Sequence, residues 1–384
     1  MSFNTSSPLF RHRQLAPAAS VRVSPLCLGT MTFGAAEEAR YGECSREDAE
    51  QMLDYFVSQG GNFIDTASGY QHGQSEILLG EWMLARQNRD QLVLATKYTT
   101  PYMTHQKDKI QSNYGGNGAK SMKVSLEQSL QKLQTSYVDL LYVHWWDYTT
   151  SIPELMHGLD DLVKSGKVIY LGISDTPAWI VAKANAYARQ QGLRQFSVYQ
   201  GMWNAALRDV EREILPMCRD DGMAMCPYGV LNQGRFQTEA GFKEREKHNP
   251  GRNFVPLSEH DKQVSRALEG IANRKGTGLL NIALAYVMQK VPYVFPIVGG
   301  RKVEHLKGSI EALTVTLTED EIAQVEQAYP FDYGFPNTFL SGSLFDDRPS
   351  SSADGPGDVW LTKSLGTFDW VSAPSPIKPS NNQA

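Results

Sequence analysis

Five short apolar runs in this chain each stop on one polar residue. They read GNFIDTASGY, QLVLATK, VDLLYVH, KVIYLGIS and QFSVYQ, and they end at Asp65 (with Tyr70 close behind), Lys97, His144, Ser174 and Gln200. A helical stretch follows each of the first four. Short apolar runs alternating with helices specify parallel strands buried on both faces. When such units close into a barrel, the C-terminal strand ends converge on one face, and that face carries the active site. Residues tens of positions apart are then brought to one place.

The alternation runs through nearly the whole chain. Residues 11–24 read as a β-hairpin, and strands are expected at 25–30, 61–65, 91–97, 138–144, 167–174, 195–200, 223–228 and 292–298. The first helix follows Ser45, where Ser45 and Asp48 have capping-box spacing. Its apolar positions Ala49, Met52, Leu53, Phe56 and Val57 form one stripe. Further helices are expected at about 75–86, 123–134, from Pro153, after Thr176 and Pro177 as cap and first turn, and at about 208–221. The last four are expected at about 258–274, 277–290, 302–313 and 318–328. Eight strand–helix units in order predict an α/β protein, a (β/α)8 TIM barrel with an N-terminal β-hairpin over residues 1–330. No G-x-G-x-x-G lies between a strand and a helix, so the usual dinucleotide fold has no support. The glycine cluster YGGNGAKS (114–121) lacks the G-K-[ST] triplet of a phosphate loop and reads as flexible loop. Residues 331–384 turn rich in Pro, Gly and Ser and read as a C-terminal extension, partly disordered at its APSPIKPSNNQA end. Its aromatic patch, VWLTKSLGTFDWV (359–371), is expected to dock on the barrel.

A chain of 384 residues with 41% hydrophobic content can bury a large core, and its net charge of −5 is spread without a long like-charged block. That argues against nucleic acid or an anionic membrane as partner. No run approaches the roughly 20 apolar residues of a membrane helix, and MSFNTSSPLFRHRQ lacks the apolar centre of a secretory signal. Cys27, Cys44, Cys218 and Cys226 show no C-x-x-C spacing and read as reduced and mostly buried, which fits a cytoplasmic protein without a metal site. The sequence leaves the oligomeric state open.

The polar strand ends form a coherent chemical set. Tyr70 is the candidate acid: a phenol titrates near pH 10, and a neighbouring ammonium, Lys97, favours the phenolate and lowers that value. Asp65 can hold Lys97 charged by pairing with it. His144 can donate a hydrogen bond to a substrate oxygen and orient a carbonyl. Such a set gives a proton to an oxygen while a hydride arrives at the carbon.

Over roughly residues 10–330 the chain resembles the aldo-keto reductases. The family pattern is Asp, Tyr five residues on, then Lys and His at the ends of the third and fourth strands, and Asp65, Tyr70, Lys97 and His144 match it one for one. The stretches GECS, NRDQ, ATKYTT, LYVHWWDYTTSIPE, LGISDTPAW and RQFSVYQGMWN are closest to the fungal-type aryl-alcohol dehydrogenases and norsolorinic acid reductases of polyketide pathways. The resemblance implies that NADP(H) lies extended across the barrel mouth and that an aromatic aldehyde or ketone is reduced. It implies nicotinamide contacts from Thr30, Met31, Asp65, Ser174, Asp175 and Gln200. Asp175 stands where the family has Asn; an ionised Asp accepts from the carboxamide NH2 but cannot donate to its oxygen.

CPYGVLNQGRF matches the loop over the pyrophosphate, giving Cys226, Pro227, Tyr228, Gly229, Leu231, Gln233, Gly234 and Arg235 as contacts. IVGGRKVEHLKGSIEAL opens a helix after the eighth strand. There Gly299, Gly300, Arg301, Lys302, His305 and Ser309 are expected at the adenosine end, with Arg301 and Lys302 suited to a 2′-phosphate. Gly308 and Ser309 replace the family's usual Glu-Asn. Met225 stands where many relatives stack an aromatic on the nicotinamide; Trp203 is a candidate substitute. Phe33, Trp145, Trp146 and Tyr148, with Tyr102 or Tyr114, are candidate substrate contacts beside His144. Two other classes remain at this point. One is a cofactor-sensing binding protein that keeps the same four residues. The other is a Schiff-base lyase on Lys97, which needs a neutral lysine where Asp65 would keep it charged.

Overall fold

The structure, a computed structural model, describes residues 3–248 and 256–379. An antiparallel hairpin, β1 (Arg13–Ala16) and β2 (Ala19–Val23), precedes eight parallel strands. These are β3 (Cys27–Gly29), β4 (Phe63–Asp65), β5 (Val93–Tyr98), β6 (Val138–Val143), β7 (Val168–Ser174), β8 (Phe196–Met202), β9 (Ala224–Tyr228) and β10 (Ile297–Val298). They pair in the order β10-β3-β4-β5-β6-β7-β8-β9. The ring closes at Met225, whose N–H donates to Tyr293 O (3.0 Å) and whose carbonyl accepts from Phe295 N–H (2.9 Å). This is the (β/α)8 barrel that the alternation predicts.

The eighth strand is shorter than the expected 292–298. Pro292 and Pro296 have no N–H to give a ladder, and Tyr293 takes a left-handed φ of 58°. Other boundaries also have local causes. The capping box forms as expected, with Ser45 Oγ accepting from Asp48 N–H (3.0 Å) ahead of helix Arg46–Ser58. Ser151 caps helix Ile152–Lys164, with Pro153 in the first turn. Thr176 does not cap the next helix, Ala178–Gln191; its hydroxyl turns back to Ser174 O (2.8 Å), and Pro177 takes the cap position. The helix expected over 208–221 is split into a 3-10 turn, Asp209–Glu211, and helix Ile214–Asp220. Pro216 has no N–H for the carbonyl of Arg212, so the helix cannot run back across it. Helix Glu239–His248 lies in a stretch read as loop. Seven of its ten residues are charged or His, and Phe242 is its one large apolar side chain, so no apolar period announces it.

Side-chain alternation divides the core in two. Leu28, Ile64, Leu94, Leu141, Ile173 and Met225 point outward and pack under the helices. Cys27, Phe63, Val93, Ala95, Leu140, Tyr142, Val198, Ala224 and Cys226 fill the barrel, and the hairpin's Leu15, Ala16, Ala19 and Val23 plug its N-terminal end. Continuing the inward parity puts Asp65, Lys97, His144, Ser174, Gln200 and Tyr228 at the top of this filling. All four cysteines are free and buried. No helix among the described residues is long and apolar enough to cross a membrane.

Near the start of the extension stands Tyr333, whose hydroxyl meets buried Glu211 and Arg208 (2.9 Å each). Its aromatic patch does not dock on the barrel as expected. Trp360 donates to Phe339 O (2.7 Å) and packs on Phe345, so it rests on the extension's own helix, Asn337–Ser341. Phe368 and Trp370 pair with each other and remain about half exposed. The patch has its neighbours close in sequence, so short-range packing satisfies it. Of the final stretch, residues 373–379 carry no helix or strand, and 380–384 lie outside the described residues.

Candidate active site

Lys97 is the last inward residue of β5, and it is fully buried. Its ammonium meets the Asp65 carboxylate in a short contact, Thr66 O at 2.9 Å and the Tyr70 hydroxyl at 3.2 Å. The other Asp65 oxygen accepts from Gln200 Nε2 at 3.0 Å. Burial works against the Lys97 charge, but Asp65 and Tyr70 together outweigh it and the lysine is held above its usual range. A neutral, nucleophilic Lys97 is therefore disfavoured, which removes the ground for the lyase reading.

Tyr70 opens a tight turn, Tyr70–Gly73, whose next residues Gln71 and His72 have φ near 50°. Buried Gln71 fastens this turn to the loop after β3, accepting from Glu37 N–H (2.7 Å) and donating to Met31 O (3.3 Å). The expectation that Lys97 brings the phenol below its ordinary value needs correction. Burial raises Tyr70 and wins over the ammonium, so the net direction is upward and the phenol is protonated at neutral pH. The residue is partly exposed to solvent, in the loop that follows β4.

His144 follows β6 and meets Tyr70 edge to face, with ring centres 6.0 Å apart. Burial, helped by Lys97, pushes its imidazole down to about 3, so the ring is neutral. Its Nδ1 lies 3.1 Å from the Thr100 hydroxyl, which also accepts from Trp145 Nε1 (3.0 Å).

The expected nicotinamide contacts cluster beside this set. Thr30 N–H donates to Asp65 O (2.9 Å). Ser174 Oγ is buried with no hydrogen-bond partner among the described residues; the nearby Asp175 charge feels it, but the pair falls short of bonding geometry. An unsatisfied buried hydroxyl costs free energy until a ligand meets it, so the donor set fits a carboxamide. Asp175 has a left-handed φ of 42° and stands at the rim of the mouth. Protein around the rim limits its hydration and raises its carboxyl to about 6, against the hydroxyl of Tyr228, which donates to both its oxygens at 3.2 Å.

Several expected contacts move. Met225 points into the layer under the helices, and Trp203 is fully buried with its indole N–H on Glu211 (3.0 Å), so neither faces the mouth. The aromatic there is Tyr228, three residues on, which strand parity marks. Phe33 is fully buried under the helices, and Trp146 is largely so. Trp145 and Tyr148 are exposed at the mouth, while Tyr102 is buried against Tyr114.

Cys226 lies inside the barrel below the mouth, and the Gly229 carbonyl is taken by Asn204 Nδ2 (3.0 Å) and Asn232 N–H (2.8 Å). Arg235 is engaged by Asn232 and Asp261. Leu231, Gln233 and Gly234 form the following turn, with Gln233 at φ 53°.

At the far end, Thr32 fastens Gly300 O (2.8 Å) next to Gly299, and Lys302 is the exposed N-cap of helix Val303–Glu311. The Arg301 guanidinium lies so close over Gly42 that a side chain there would collide with it. Arg301 N–H donates to His305 Nδ1 (3.3 Å). Ser309 is buried and spends its hydroxyl on His305 O (3.0 Å), so it offers no donor to an adenine.

The glycine cluster 114–121 is not a flexible loop. Asn117 is fully buried and bonded at every polar atom, and Ala119 already begins helix Ala119–Leu133. Its glycines concealed one ordered side chain between them.

The fold is a TIM barrel that gathers Asp65, Tyr70, Lys97 and His144 at the C-terminal ends of its strands. The chain belongs to the aldo/keto reductase family, whose model matches residues 25–330, and it is an oxidoreductase. It is 66% identical over 375 residues to norsolorinic acid reductase B of Dothistroma septosporum, covering 98% of this chain and 96% of that one. It is 64% identical over 379 residues to norsolorinic acid reductase B of Aspergillus parasiticus, covering 98% and 99%. An aryl-alcohol dehydrogenase of Pestalotiopsis microspora is 49% identical over 392 residues, covering 100% and 98%.

Proposed function

We propose that the protein is an NADPH-dependent reductase of secondary metabolism that delivers hydride to an aromatic aldehyde or ketone. The observation that carries this reading is the Lys97 ammonium, bonded at once to Asp65 and to the hydroxyl of the partly exposed Tyr70. The norsolorinic acid reductases among the relatives favour a ketone, and the aryl-alcohol dehydrogenase favours an aromatic ring beside the carbonyl.

Bound NADPH would supply the hydride, held at its carboxamide by Ser174, Asp175 and Gln200 and at its 2′-phosphate by Arg301 and Lys302. The chain's own residues do the rest. Tyr70 donates its phenolic proton to the carbonyl oxygen as negative charge develops there. Lys97 sits against the phenolic oxygen and stabilises the phenolate left behind. Asp65 keeps Lys97 charged, and its second oxygen holds Gln200. Neutral His144 donates a second hydrogen bond to the carbonyl oxygen and sets the carbonyl's angle. Exposed Trp145 and Tyr148 offer faces for a flat substrate.

The test is a panel of aromatic aldehydes and polyketide ketones, read as loss of NADPH absorbance. Rapid multiple turnover supports the reductase. Tight NADPH binding with no turnover on any carbonyl would favour a cofactor-sensing role.

A further inference from the structure

The loop after β5 carries a strained turn beside His144. Thr99 has φ 102°, a conformation that a β-branched residue adopts only when its surroundings impose it. The surroundings here are specific. Thr99 O accepts from Gly116 N–H (2.8 Å), and Thr99 Oγ1 accepts from Asn117 Nδ2 (3.0 Å) and from His144 N–H (3.2 Å). Asn117 is the staple. Its amide also donates to Trp145 O (2.9 Å), its Oδ1 accepts from Asp147 N–H (2.8 Å), and its backbone N–H and carbonyl meet Asp147 Oδ2 (2.7 Å) and the Tyr98 hydroxyl (3.1 Å). One fully buried side chain thus ties the loops after β5 and β6 together.

The turn delivers Thr100 to His144. An indole N–H can only donate, so Thr100 Oγ1 accepts from Trp145. The hydroxyl has one proton of its own, and His144 Nδ1 at 3.1 Å is its hydrogen-bonding acceptor among the described residues. Were Nδ1 protonated instead, the hydroxyl would accept twice and its proton would have no protein acceptor. The ring is neutral, so it carries one proton. That proton belongs on Nε2, which has no protein partner among the described residues.

We propose that Thr100 is a positioning residue that fixes His144 as the Nε2–H tautomer, and that the Thr99 turn, stapled by Asn117, holds Thr100 in place to do so. This rests on the reading of His144 as the second donor to the carbonyl oxygen. The opposite tautomer would present a lone pair to that oxygen and repel it. Nothing in the sequence marks Thr100; its role comes from the geometry of two loops.

The experiment uses the full chain labelled with 15N-histidine. The signals of His144, one of eight histidines, are those lost in His144→Ala. In the wild type, Nδ1 is expected to be pyridine-type and Nε2 pyrrole-type. Thr100→Val should mix or invert that pattern and lower the single-turnover rate of carbonyl reduction by roughly 3- to 10-fold, the worth of one neutral hydrogen bond. NADPH affinity, followed by tryptophan quenching, should not change. Thr100→Ser should restore both the spectrum and the rate. A wild-type Nδ1–H, or a Thr100→Val protein with unaltered spectrum and rate, overturns the proposal. If that null result comes with a dead His144→Ala, the reading of His144 stands and only the positioning role falls. If His144→Ala reduces carbonyls at the wild-type rate, the reading of His144 falls, while the spectrum still decides the tautomer.

Discussion

Two buried charge networks in this barrel each join a carboxylate, a cation and a tyrosine, and they differ in one respect. In the first, Asp65 pairs with Lys97, and Lys97 donates to the hydroxyl of Tyr70. In the second, Glu211 pairs with Arg208 (2.7 Å), and Arg208 donates to the hydroxyl of Tyr333 (2.9 Å). The second is closed. The Tyr333 hydroxyl donates to Glu211 Oε2 (2.9 Å), Trp203 donates to Oε1 (3.0 Å), and Lys290 stands nearby with Glu326. The Tyr70 hydroxyl accepts from Lys97, and its proton has no acceptor among the described residues. A carboxylate, a cation and a tyrosine together do not mark catalysis. What distinguishes the first set is an unspent proton on the partly exposed Tyr70, while the closed set fastens the extension to the barrel.

The largest expected effect breaks the comparison at its two tyrosines. Tyr70→Phe should lower kcat by about 10²–10⁴, the usual worth of general acid catalysis, with NADPH affinity nearly intact. Tyr333→Phe should leave kcat within about 2-fold of wild type and cost roughly 1–3 kcal/mol of stability, because Glu211 and Arg208 each lose a buried partner. Thermal unfolding and steady-state kinetics on both variants separate the two. Equal loss of kcat would erase the distinction.

Lys97→Met should weaken both rate and stability. It strands the Asp65 carboxylate with Gln200 alone, and breaking a buried pair costs about 3–5 kcal/mol. Wild-type denaturation midpoints would show that Asp65 does not depend on its partner.

How much of this was legible beforehand depended on the kind of signal. The apolar runs and their terminal residues carried the barrel and its mouth, because burial on both faces and strand parity are written in consecutive residues. Tyr228 was legible in the same way, two positions beyond Cys226 on the inward face, whereas Met225 was read by family position and points the other way. Thr100 and Asn117 were not legible. They act through hydrogen bonds between loops, and nothing in YGGNGAKS shows that its one asparagine is buried. The extension's patch was misplaced because composition shows that aromatics will pack without showing on what.

A smaller effect sharpens the account at the adenosine end. Arg301→Ala should weaken NADPH by about 10–100-fold, the worth of a charge-assisted bond, and leave NADH nearly unchanged. Lys302 and His305 adjoin the site, so Arg301→Ala/Lys302→Ala is the stronger form. Titrations by fluorescence quenching at two salt concentrations check it. Equal weakening of both cofactors would mean that Arg301 supports the loop at Gly42 instead.

The smallest expected effect concerns Asp175. Limited hydration at the rim raises its carboxyl to about 6, so below that pH it is protonated and can donate to a carboxamide oxygen as Asn would. As pH rises through 6 the donor is lost, and NADH affinity should weaken by a few-fold, about one neutral hydrogen bond. NADH is the probe because a phosphate monoester itself titrates near 6. Asp175→Asn should flatten the profile. A flat wild-type profile would remove Asp175 from the carboxamide site.

The central claim is that Tyr70, beside Lys97, holds the proton that reduction consumes. It is tested most directly by the pH dependence of single-turnover carbonyl reduction, with NADPH bound in advance, in wild type and Lys97→Met. Burial keeps the Tyr70 phenol protonated at neutral pH, so the wild-type rate should be level there and fall on the alkaline side as the phenol ionises. Lys97 favours the phenolate, so its removal should move that limb to higher pH. An alkaline limb at the same pH in both proteins, or one that persists in Tyr70→Phe, would contradict the account.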